Sequence, residues 1–131
     1  MGSKTTLTQN SQKSAALPAR WHKSILKQQA DQEEMRIAVI EQIYRALRKL
    51  EEKYHFDEAY LFGSVVHKGK FRLNSDIDIA VSGLNVLEHY SFTGEISDFL
   101  DKRVDVVLLE ECRFARSIKE KGLKWKRKTG S

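Results

Sequence analysis

The residues best suited to chemistry are Gly63-Ser64, eleven intervening residues, then Asp76-Ile77-Asp78, with Asp105 further along the chain. Asp76 to Val81 alternates Asp, Ile, Asp, Ile, Ala, Val, which is strand periodicity. Residues two apart on a strand point the same way, so Asp76 and Asp78 share one face and Ile77, Ile79 and Val81 the other. Two carboxylates about 4 Å apart repel by roughly 4 kcal/mol at an effective dielectric near 20, a penalty that a divalent cation removes. Asp105 is a third acid, inside the otherwise apolar run Val104 to Leu109. If that run is a strand beside the first, the three acids make an oxygen-rich site suited to Mg²⁺ and to chemistry on phosphates. Gly63-Ser64 closes a short apolar run and opens a turn whose backbone N–H groups could meet phosphate. Each piece has a plainer reading. An Asp-x-Asp pair is as readily a solvated strand end, a lone Asp in an apolar strand pairs with a helix cation, and Gly and Ser end strands and cap helices.

Several elements must position these residues. From Pro18, a helix starter, to Tyr54 the chain has no Gly or further Pro, and reads as one long helix or two. Ile40, Ile43, Tyr44, Leu47, Leu50 and Tyr54 form an apolar stripe at helical spacing, which must face a core. Ala59 to Phe62 is a short strand, followed by a short helix and then the strand Asp76 to Val81. Ser82-Gly83 marks a turn. Leu84 to Leu100 has amphipathic spacing interrupted by Gly94, Val104 to Leu109 reads as a strand buried on both faces, and Glu111 to Gly122 as a last helix. The order predicts an α/β (α+β) fold, with three or four strands in a small sheet flanked by helices.

The net charge of +5 suggests a nucleic-acid or membrane-surface binder until it is located. Residues 1–30 carry five basic and no acidic side chains, residues 31–112 ten basic and seventeen acidic, and residues 113–131 eight basic and one acidic. The blocks are therefore +5, −7 and +7. The apolar residues concentrate in the acidic block, so the basicity belongs to the ends. Residues 1–17 are expected to be a disordered tail, 18–56 a helical segment packing on a core at 57–125, and 126–131 a basic tail. No apolar run exceeds four residues, which excludes a membrane span by a helix, and the N-terminus has no secretory apolar region. The single cysteine, Cys112, excludes an intramolecular disulfide, so a cytoplasmic protein is expected. A P-loop is excluded because five residues lie between Gly63 and Gly69 and Phe71 stands where Ser or Thr is needed. The four histidines have no metal-ligand spacing, and no Gly-x-Ser-x-Gly or Cys-His arrangement points to a hydrolase.

The motifs AYLFGS (Ala59 to Ser64), FRLNSDIDIAV (Phe71 to Val81), RVDVVLL (Arg103 to Leu109) and SIKEKGLKW (Ser117 to Trp125) resemble those of the DNA polymerase β-like nucleotidyltransferase superfamily. The similarity is greatest to its minimal nucleotidyltransferases and spans about residues 58 to 125. Here eleven residues separate Ser64 from Asp76, where ten is commoner, and the Arg often found after the Gly-Ser has no counterpart. The resemblance implies a polymerase β palm-like fold. It implies that Asp76, Asp78 and Asp105 are catalytic and hold Mg²⁺, and that Gly63, Ser64 and Ser75 bind the nucleotide, with ATP as substrate. It further implies an antitoxin that places AMP on a tyrosine of a partner HEPN-family toxin. The alternatives are an antitoxin that acts by binding alone, and transfer to a small molecule or an RNA end. A homodimer is allowed, a membrane partner is not expected, and the acidic core disfavours direct nucleic-acid binding.

Overall fold

The structure, a computed structural model, describes residues 18–125. The expected tails at 1–17 and 126–131 lie outside the described residues. The chain divides into two compact units, Met1–Asp31 and Gln32–Ser131. Of the first, the described part is helical from Ala19 and exposed throughout, its start closed by the Trp21 and His22 amides donating to the Pro18 carbonyl. That helix, α1, runs unbroken over Ala19–Leu50, as a stretch of straight-chain residues without Gly or Pro favours. Within the second unit it buries Val39, Ile43, Ala46, Leu47 and Leu50, a stripe recurring every three to four residues.

Strands β1 (Glu58–Phe62), β2 (Ile77–Ser82), β3 (Val104–Leu108) and β4 (Leu123–Trp125) form one mixed sheet in the order β3-β2-β1-β4. β2 and β3 are parallel and are joined by helix α2 (His89–Leu100); the other pairs are antiparallel. Helix α3 (Ala115–Lys121) precedes β4. Strand alternation divides the sheet's side chains between two clusters. Ile77, Ile79 and Val81 pack with Ile43 and Leu47 of α1 and Phe92 and Ile96 of α2, while Tyr60 and Ala80 pack with Leu109 and with Ile118 of α3. Asp78 and Asp105 belong to the second face, set aside from the larger core. Phe56 stacks edge-on to Phe92 at 5.5 Å and lies 5.4 Å from Trp125, which is buried. At the foot of α1 the Tyr54 hydroxyl bonds Glu95 and Ser91 of α2, fixing the helix crossing.

The helix and strand order matches the sequence reading, with three corrections. β3 is an edge strand with Asp105 exposed and Val107 half-buried, so it is not buried on both faces. The last helix starts at Ala115, because Leu109–Glu111 form a 3₁₀ turn and the chain bends again before α3. Leu84 to Leu100 divides into a 3₁₀ turn at Val86–Glu88 and α2, which passes through Gly94 without a break. Leu123–Trp125 supplies the last strand of the four, within the three or four expected. Among the described residues, no helix is long and apolar enough to cross a membrane.

Candidate active site

The turn after β1 is held from two sides. Gly63 has φ +79°, a left-handed conformation that L side chains rarely adopt, and it starts a 3₁₀ turn over Gly63–Val66. A Cβ at Gly63 would run into Oδ2 of Asp78, with Cγ only 3.2 Å away, so only glycine lets the turn close over that carboxylate. Val65 anchors the turn in the core. Arg36 of α1 donates from Nη1 to the Val65 carbonyl at 2.9 Å, while its Nε and Nη2 grip both carboxylate oxygens of Glu33 at 2.9 and 2.7 Å. Ser64 is half-buried, and its carbonyl accepts from the His67 amide at 3.1 Å.

The loop before β2 is tied down in the same way. Phe71 is buried, and the Ser75 hydroxyl accepts from the Arg72 amide at 2.8 Å while the Ser75 amide donates to the Arg72 carbonyl at 3.0 Å. Ser75 thus closes a turn that delivers Asp76 to the mouth of β2. The register of the parallel pair then sets Asp78 opposite Asp105. On the other side Asp78 stands opposite Phe62, the residue before Gly63. Burial raises the Asp78 carboxyl above the ordinary aspartate range, and the charges of Asp105 and Asp76 push it the same way. Among the described residues Asp78 has no ion-pair partner. Asp76 is about half exposed and lies 3.9 Å from Arg103 in a solvated pair that contributes little.

Gly63, Asp78 and Asp105 are therefore brought together, with Asp76 near enough for its charge to act on Asp78, whereas Ser75 shapes the loop. A pocket of about 750 Å³ opens along β3, lined by Asp78, Asp105 and Phe62 and, from the next segment, by Val86, His89 and Tyr90. His89 Nε2 lies 2.7 Å from the Val106 carbonyl, a backbone group that the edge position leaves without a sheet partner. No three carboxylates or imidazoles among the described residues cage an ion by themselves. Mg²⁺ is usually held by one or two carboxylates completed by phosphate and water, and an unneutralised pair of adjacent acids in a half-buried setting fits that donor set. Sequence reading did not single out Arg36, His89 or Tyr90. Arg36 acts on a turn from a distant helix, and no local spacing marks that.

Residues 41–124 match the family described as polymerase beta, nucleotidyltransferase. The chain belongs to this family. The paired strand acids and the Gly63-Ser64 turn of this nucleotidyltransferase lie inside the matched span. Among curated proteins none matches the sequence. Among solved structures the chain is similar to "Crystal structure of the toxin-antitoxin with AMP-PNP", at 26% identity and TM-score 0.55 over 66% of this chain and 74% of that one. It also shares its fold with "Crystal structure the toxin-antitoxin MntA-HepT", at 23% identity and TM-score 0.50 over 66% and 70%.

Arg36 offers a test of how the turn is held. Arg36→Gln removes the bond to the Val65 carbonyl and frees Glu33, and is expected to lower nucleotide transfer about tenfold, as loss of a supporting contact commonly does. Initial rates together with thermal unfolding check this. A variant that loses stability but no rate would make Arg36 a purely structural contact.

Proposed function

We propose that this nucleotidyltransferase transfers AMP from ATP to a tyrosine of a HEPN-family ribonuclease toxin in the cytoplasm, with Mg²⁺, and so acts as its antitoxin. The observation that carries the reading is the register of Asp78 against Asp105 beneath the Gly63 turn, within a sequence of this family. The likeness to a toxin-antitoxin structure with AMP-PNP supports both the nucleotide and the kind of partner. We take residues 57–125 as the catalytic core and 18–56 as a helical segment attached to it.

Asp76 and Asp78, with Asp105 beside them, are the residues to hold Mg²⁺, which when bound supplies positive charge against the phosphates and the developing charge of transfer. The Gly63-Ser64 backbone faces the phosphate chain, and Ser75 keeps Asp76 at the strand mouth. Asp105, exposed on the edge strand, is open to an incoming acceptor and takes the proton of its hydroxyl as the oxygen attacks the α-phosphorus. The bond from that phosphorus to the bridging oxygen breaks and pyrophosphate leaves with the electron pair.

The test uses the purified chain, a HEPN-family protein and α-labelled ATP. Label is expected on a tyrosine of the HEPN protein, to be abolished by chelation and restored by Mg²⁺. Label on RNA or on a small molecule would overturn the choice of acceptor. Neutralisation of the toxin without any label would overturn the enzymatic reading.

A further inference from the structure

We propose that Tyr90 is a second acceptor of this chemistry, and that without a partner the chain transfers AMP to its own tyrosine. The inference rests on the reading of the site as one that modifies tyrosine.

The sequence has four tyrosines, and all lie among the described residues. Three are withheld from reaction. Tyr54 is buried and its hydroxyl is engaged by Glu95 and Ser91; Tyr60 is buried and bonds Glu58 at 3.3 Å; Tyr44 is partly buried against the core. Tyr90 is 92% exposed, and among the described residues its hydroxyl has no hydrogen-bond partner. It lines the same pocket as Asp78 and Asp105.

The elements order these groups. Across the sheet come the Gly63 turn after β1, Asp78 on β2 and Asp105 on the edge strand β3, and the first turn of α2 presents Tyr90 to the same pocket. His89, the residue before it, fastens that turn to the Val106 carbonyl, next in sequence to Asp105. Phosphate cradle, paired acids, proton acceptor and phenol thus follow in the sequence that nucleotide transfer needs. Thr93 also reaches the pocket, but its hydroxyl donates to the His89 carbonyl at 2.8 Å, which leaves Tyr90 as the free nucleophile.

In the step, the phenolic oxygen of Tyr90 attacks the α-phosphorus of ATP and an O–P bond forms. The bond from that phosphorus to the bridging oxygen breaks, pyrophosphate leaves with the electron pair, and the phenolic proton passes to Asp105. Holding donor and acceptor in one pocket replaces a bimolecular encounter by an intramolecular one, which favours the reaction without a docking surface.

Full-length chain incubated with Mg²⁺ and ATP alone is expected to gain the mass of one AMP, localised to Tyr90 by fragmentation, at a fractional rate unchanged on dilution. Tyr90→Phe is expected to stay at its unmodified mass, with thermal unfolding like that of the parent because the side chain is almost fully exposed and its hydroxyl makes no hydrogen bond among the described residues. An adduct elsewhere, an adduct that survives in Tyr90→Phe, or a rate that falls on dilution would overturn the proposal. So would a chain that stays unmodified when incubated alone although it labels a HEPN-family protein once that protein is added. If neither protein is labelled, the underlying reading of the site falls with it.

Discussion

Asp78→Asn is expected to lower nucleotide transfer on the order of 10³-fold and, at neutral pH, to make the ligand-free chain harder to unfold. The first effect follows from the role of the carboxylate. Charge stabilisation by a bound cation is worth several kcal/mol at the transition state, and about 4 kcal/mol corresponds to on the order of 10³ in rate. An amide at position 78 keeps the shape and removes the charge that, in the proposed mechanism, holds Mg²⁺. The second effect follows from what surrounds the carboxylate. Burial raises the Asp78 carboxyl, and Asp105 and Asp76 raise it further, so the folded chain binds this proton more readily than the unfolded one. A group of that kind supports the fold fully below its unfolded pKa, and that support is lost as pH rises through the folded value. The ionised carboxylate is therefore a cost at neutral pH. Asn does not titrate, so the variant is expected to gain about 1 kcal/mol there, and the gain vanishes in acid where the parent is already protonated. Transfer assays with thermal unfolding at neutral and acid pH check both halves. Retained transfer would remove Asp78 from the chemistry, and a variant no more stable than its parent would mean that the acids do not strain the fold. Asp78→Asn also tests the proposed antitoxin role: with a HEPN-family toxin, loss of protection supports transfer as the mode of neutralisation, while full protection points to binding alone.

The site was legible where its signal is local. The alternation Asp-Ile-Asp-Ile places the acids and the core on opposite faces of β2, and the structure keeps that division, with Ile77 and Ile79 wholly buried and Asp78 on the far side. The stripe from Ile43 to Leu50 was legible for the same reason, since a helix face repeats within one segment. Features that depend on which segments become neighbours were not. The run VDVVLL has the composition of a central strand, but strand order is set by the βαβ crossover and by β4 pairing on β1, and this leaves β3 at the edge. That edge exposes Asp105 and opens the pocket beside it. β4, three residues long, gives too short a pattern to be seen without its partner. Glu111 looks like the start of the last helix, yet it closes a separate 3₁₀ turn with Leu109 and Glu110. Tyr90, unremarkable in the sequence, gains its setting only from the way α2 returns along β3.

Gly63→Ala is expected to cost on the order of 10² in transfer rate and only about 1 kcal/mol in stability, and Gly69→Ala the same stability with little change in rate. Both glycines have positive φ, +79° and +84°, so both variants meet the left-handed backbone penalty of about 1 kcal/mol. They differ in what the added methyl meets. At Gly69 there is open space, whereas at Gly63 the methyl falls on Oδ2 of Asp78 and presses on its Cγ and Cβ at 3.2 and 3.4 Å. The overlap is relieved most cheaply by a turn of the Asp78 side chain, because its carboxylate end is free to rotate and the β1–β2 ladder that holds Phe62 opposite Asp78 is not. The fold therefore survives while the carboxylate leaves its position beside Asp105. A displacement of about 1 Å in a reacting constellation is enough for a loss on the order of 10². Rotation away from Asp105 also relieves repulsion between the acids, which holds the stability cost near that of Gly69→Ala. Rates and unfolding temperatures of the two variants side by side decide the matter. Equal rates would mean that the Gly63 turn sets backbone conformation only, and a Gly63→Ala chain that fails to fold would mean that the turn yields before the carboxylate does.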